Sequence, residues 1–392
     1  MMLLSYRWKE ALNTFIKYQV PVVELASVDP DDATGLEQVA TIFEKINSSG
    51  TKLTVFDLLT ARLYPHQIDL RKLWRSALNK NMHLKQLVGD EKSKEEIYAV
   101  YTLRAVALYR GHDAKGKKLV HLSPAGFTED FCKMAAYMDK AIERLTSPGE
   151  GGMGAIRDKW IPYTTTIPVL AALLEAADKS NDPAKYTKIN QWYWSSVFTE
   201  RYAGTVESKS MQDYKEVVNW MHFDDAVPTV VNRARTDYKD LDVAAEKIKK
   251  TSLRGNSIFR GTLCLLALNG AKDFFFDDSI AFHELDVHHI FPEAFLRDAI
   301  PDLEKQTINS LANQTLIGSS TNRKISKKAP SEYLRELEQK HGDKLPELLR
   351  AHFINEQALS AMRSDDYINF LNFRSKSIVE KIQESIGIHE AS

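Results

Sequence analysis

The chain has 392 residues, 43% of them hydrophobic and 27% charged, with a formal net charge of −1. That composition is globular, and the length allows two or three domains with cores of their own. It excludes a protein whose overall field gathers nucleic acid, so any contact with a polyanion must come from local basic surface.

No apolar run approaches the ~18 residues of a membrane span. The longest, IPVLAALLEAA from Ile167 and LCLLAL from Leu263, suit buried helices. The start MMLLSYRWKEAL lacks a signal-peptide cleavage pattern, and Cys132 and Cys264 lie too far apart in sequence to mark a disulfide framework. A cytoplasmic location without membrane contact is expected.

In chain order, an amphipathic helix is expected around Trp8, Leu12, Phe15 and Ile16, followed by a β-type run, VPVVEL. Val39, Ile42, Phe43 and Ile46 recur at helical spacing, and Asn47-Ser48-Ser49-Gly50 stops that pattern. Thr54 and Asp57 then form a capping-box pair ahead of Leu58, Leu59 and Leu63. From about Pro65 to Asp273 the apolar spacing is almost wholly helical, as in EEIYAVYTLRAVALYR and FCKMAAYMDKAIERL. Trp192, Trp194 and Phe198 read as core, and Arg201 as either a structural or a phosphate-facing cation.

The segment from Phe282 to Tyr333 carries the chemistry. Leu285, Val287, Ile290 and Phe291 frame His288 and His289 in a strand-like run that Pro292 ends. After a loop of about twenty residues, Asn313 opens a second β-type run, QTLIG. Ser319, Ser320 and Thr321 are N-cap candidates for a helix carrying Asn322, Arg323, Lys324, Lys327 and Lys328. From Lys305 to Lys328 there are five Lys/Arg and no Asp or Glu, which suits a phosphate backbone. An imidazole near its usual pKa of ~6.5 is matched to deprotonating water at neutral pH. The blander readings are surface histidines, a solvated basic helix face and a structural zinc site, the last without a nearby thiolate. Asp286 and His283 are near enough to support His288, with Asp286 read as structural rather than as a ligand.

The order strand, loop, strand, helix and these residues resemble the HNH, or ββα-metal (His-Me finger), nucleases, and more narrowly the nuclease domain of GmrSD-type restriction endonucleases. The resemblance implies His289 as general base, Asn313 as the residue that orients it, and His288 and Asn322 as metal ligands. The family more often carries Asp-His than His-His at the first motif. A second stretch, FEKINSSGTKL from Phe43 to Leu53, resembles the end of the ParB-like domain that precedes the nuclease domain in such proteins. The Asp-Gly-Gln-Gln-Arg-type motif of that domain is not in the sequence, so the chain is expected to be the C-terminal portion of a longer architecture. No NTP hydrolysis is expected from the chain alone.

The expected fold is therefore mainly α and multidomain: a truncated ParB-like remnant over 1–65, a helical region over 66–275, and an HNH domain with C-terminal helices over 276–392. The expected function is metal-dependent cleavage of DNA in restriction or anti-phage defence, with Arg323, Lys324, Lys327 and Lys328 on substrate phosphates and no assigned nucleotide-binding residue. Magnesium is the expected ion, with manganese, nickel or zinc as alternatives. DNA is the expected partner ahead of RNA, together with a ParB-like NTPase supplied by another chain or a missing N-terminal half. The competing reading is a non-catalytic DNA-binding or regulatory subunit on a degenerate HNH scaffold.

Overall fold

A computed structural model describes residues 2–18, 54–180, 182–204, 206–276 and 284–388, with isolated positions between 28 and 42. The run VPVVEL, His283 and the 43–53 stretch, with its Asn47–Thr51 loop, lie outside the described residues. The protein is mainly helical, and among the described residues no helix is long and apolar enough to cross a membrane.

Helix α1 spans Met2–Ile16 and leaves Trp8, Leu12, Phe15 and Ile16 exposed rather than packed. Helix α2, Val55–Leu63, starts as its sequence dictates. The Thr54 hydroxyl accepts from the Asp57 N–H, and the Asp57 carboxylate accepts from the Thr54 N–H, so two of the donors left over at a helix start are satisfied. There follow α3 (Leu70–Lys80), α4 (Met82–Val88), α5 (Lys92–Tyr109), α6 (Phe127–Thr146), α7 (Ile167–Asp178), α8 (Pro183–Phe198), α9 (Val206–His222), α10 (Thr229–Asp237), α11 (Leu241–Lys250) and α12 (Ser257–Leu268).

Helix α7 is apolar on nearly every face because it is enclosed by α5, α6 and α9. Trp192 and Phe198 on α8 are fully buried, and Trp192 Nε1 donates to Asp213. Arg201 is structural, since its guanidinium pairs with the buried Asp213 carboxylate at 2.7 Å. Helix α12 crosses α8 at Gly261, where a Cβ would stand 2.5 Å from Val197 Cγ1. Helix α12 also packs against the second of two short strands.

Those strands are β1 (Asp286–His289) and β2 (Gln314–Ile317), antiparallel, with His288 opposite Thr315 and His289 opposite Gln314. The connection is not an open loop. It holds α13 (Glu293–Ala299), a helical turn at Lys305–Ile308 and a 3-10 turn at Leu311–Asn313. After β2 come α14 (Ser319–Ile325), α15 (Pro330–His341), α16 (Leu345–Ala351), α17 (Glu356–Arg363) and α18 (Tyr367–Ser385). Helix α11 packs along α18 and against the Leu311–Asn313 turn, while α12 packs on β2. Buried apolar side chains from Phe56 to Ile386 thus form one continuous core, and the boundary expected at 275/276 runs through it.

Candidate active site

Two short strands bury little on their own, so the site depends on what holds them. Asn313 is the first tie. It is fully buried, its Oδ1 accepts from the Phe291 N–H at 2.8 Å, and its Nδ2 donates to the carbonyls of Phe291 and Ile308 at 3.0 Å each. Its backbone carbonyl also accepts from the Ile290 N–H. The amide is spent on the backbone, so the expected direct contact from Asn313 to the His289 ring is not made. Asn313 instead clamps the chain just beyond the histidine pair.

The ring of His289 meets a different amide. Its Nε2 lies 3.0 Å from Asn309 Oδ1, while Asn309 Nδ2 donates to the Lys305 carbonyl at 2.9 Å. The second bond fixes which end of the Asn309 amide faces the ring. Nε2 therefore carries the proton and donates, and Nδ1 keeps its lone pair. Burial pushes the His289 pKa below the usual histidine value, an effect that the Asn309 bond opposes in part.

His288 also has a lowered pKa, chiefly from burial, with Asp286 pulling the other way. Asp286 itself is engaged: its oxygens lie 3.5 Å from Arg157 Nη1 and 3.6 Å from Lys159 Nζ, and it accepts from the Val287 N–H. It acts as a local anchor of the strand, as its position in sequence implied. The side chains of His288 and Asn322 make no hydrogen bond to the described residues, and both are partly exposed.

Asp273 has no neighbour in sequence that singles it out. Its buried carboxylate accepts from the Gly318 N–H, the Thr321 hydroxyl and the N–H groups of Phe275 and Phe276. It caps α14 from a distance, which is why Gly318 rather than Ser319, Ser320 or Thr321 holds the N-cap position and no local side-chain cap forms.

Behind β2, Thr315 lies 2.6 Å from His352 Nδ1, and His352 Nε2 donates to the Lys272 carbonyl. His352 is fully buried, and its pKa is pushed down to about 3. Arg374 is also wholly buried: Nε donates to the His352 carbonyl and Nη1 to that of Ala312. It staples α18 to the turn before β2, and so is not available to a phosphate.

The basic helix is less basic in space than in sequence. Glu336, one helix later, lies 3.2 Å from Lys324 Nζ and 2.5 Å from Lys328 Nζ, and Lys324 also sits over the Phe275 ring. Of the four expected phosphate ligands, Arg323 and Lys327 are exposed without an ion pair among the described residues. The described residues contain no cluster of three or more His, Cys, Asp or Glu able to hold a metal.

The chain is 34% identical over 399 aligned residues to the uncharacterized protein MJ0686 of Methanocaldococcus jannaschii, in an alignment covering 96% of this chain and 66% of that protein. It thus spans just under two thirds of that relative's length. No family model matches the chain.

Proposed function

We propose that this chain is an HNH-type endonuclease that hydrolyses phosphodiester bonds in DNA with a bound divalent ion. One observation carries the reading. His289, held by Asn309 in the tautomer that leaves Nδ1 unprotonated, stands on a strand whose partner leads straight into a short basic helix. A ring kept neutral by burial can take a proton at Nδ1 from water as that water attacks phosphorus.

His288 and Asn322 fit the role of ligands in one respect, for each offers a lone pair that no group among the described residues claims. A divalent ion there would supply positive charge for the phosphate oxygens and the leaving group, with water and phosphate as its other ligands. Magnesium is the first choice, and manganese, nickel or zinc would suit a nitrogen ligand as well. Arg323 and Lys327 would hold flanking phosphates. The family resemblance sets this activity in cytoplasmic restriction or anti-phage defence, with a ParB-like NTPase as partner.

The test is incubation of the purified chain with supercoiled plasmid in Mg²⁺, Mn²⁺ or EDTA, with an RNA substrate in parallel. Metal-dependent nicking of the plasmid is expected. Cleavage of RNA alone would reassign the substrate, and cleavage of neither would favour the non-catalytic reading.

A further inference from the structure

The charge around β1 comes mostly from the helical part of the chain. Arg157 and Lys159 stand on either oxygen of Asp286. Arg254, in the loop that leads into α12, places Nη2 3.4 Å from the Val287 carbonyl, between Asp286 and the histidine pair. Two of these cations are thus taken up by the Asp286 carboxylate, and Arg254 is not. Of the other acids nearby, Asp273 is buried and saturated with hydrogen bonds from the start of α14 and its own loop, and Glu293, whose charge reaches His289, pairs with Arg297 at 2.7 Å. Arg254 is exposed and has no acidic partner among the described residues.

An exposed guanidinium left without a counter-ion beside the carbonyl of Val287, the residue just before the histidine pair, is arranged to receive an anion, and its planar fork matches phosphate. We propose that Arg254 is a substrate-binding residue that holds a DNA phosphate next to the His288–His289 pair, so that the helical region supplies part of the nucleic-acid surface. This rests on the nuclease reading for the identity of the anion. It goes beyond it in drawing the substrate off the strand-strand-helix unit and onto residues far earlier in the chain. The local 3.4 Å contact to Val287 is long for a hydrogen bond and easily exchanged for a phosphate.

The experiment measures binding of a short labelled DNA duplex by fluorescence anisotropy in EDTA, across about 50 to 200 mM salt, alongside plasmid nicking in Mg²⁺. The proteins are the parent, Arg254→Ala, Arg254→Lys and, as control, Lys80→Ala on α3, which packs on α2, α4 and α6. Arg254→Ala should weaken binding and reduce the salt slope by about one counterion, with Arg254→Lys recovering the slope and the control matching the parent. Parental affinity and slope in Arg254→Ala would overturn the assignment even if the parent nicks DNA. A reduced slope in Arg254→Ala, with a parent that never nicks, would uphold Arg254 as a DNA contact while the nuclease reading fails.

Discussion

Asn309 Oδ1 accepts the Nε2–H of His289 at 3.0 Å, and the same amide is fixed at its other end by the Lys305 carbonyl. Asn309 is thus the orienting residue of the proposed base. Replacing it with Ala should let the ring rotate and change tautomer while leaving the metal ligands intact. The expected loss is ~10–100-fold in turnover with metal affinity unchanged, read by single-turnover nicking and calorimetric metal titration. Full activity in Asn309→Ala would show that the ring is held in some other way.

Asn313 should behave differently from Asn309. Its amide makes three buried hydrogen bonds to the backbone at Phe291 and Ile308. Asn313→Ala should therefore cost ~2–4 kcal/mol of stability, because it orphans buried groups. Urea unfolding measures this directly. A variant as stable as the parent but slow in cleavage would return Asn313 to a direct catalytic role.

For the proposed ligands, His288→Ala and Asn322→Ala should each weaken metal affinity by at least ~10-fold, with activity partly restored by excess Mn²⁺ or Mg²⁺. Neither side chain hydrogen-bonds to the described residues, so the thermal midpoint should move little. Unchanged affinity in both variants would remove them from the metal site.

Acid should weaken the fold through His352. Its folded pKa lies near 3, against an ordinary ~6.5, because burial and the adjacent Arg374 disfavour the imidazolium. The unfolded chain binds the proton more readily, so this contribution is complete above about pH 6.5 and is lost as pH falls toward 3. The slope approaches ~1.4 kcal/mol per pH unit for one proton. His288 and His289 act in the same sense. His352→Gln should flatten part of the decline in unfolding free energy between about pH 6 and pH 4. An unchanged slope would mean that other groups govern acid unfolding.

What could be read from the sequence was local. The Thr54–Asp57 capping box and the β-type runs at the histidine pair and at QTLIG rest on neighbours within a few residues, and they stand as expected. The long connection was misread because its helices, Glu293–Ala299 and Lys305–Ile308, are too short for periodicity to register. That segment contains Asn309, so the partner of His289 was missed with it. The α14 cap from Asp273, the neutralisation of Lys324 and Lys328 by Glu336, and the approach of Arg254 to Val287 all join segments that sequence spacing does not connect. An acid-free stretch of sequence therefore did not make an acid-free surface.

His289 is proposed to take the proton from the attacking water. The most direct test of that role is metal-dependent nicking of supercoiled plasmid by His289→Ala, compared with the parent at equal folded concentration and saturating metal. The expected rate is ~10²–10⁴-fold below the parent, with metal binding preserved. Nicking by His289→Ala at the parental rate, in conditions where EDTA stops the parent, would remove His289 from the reaction.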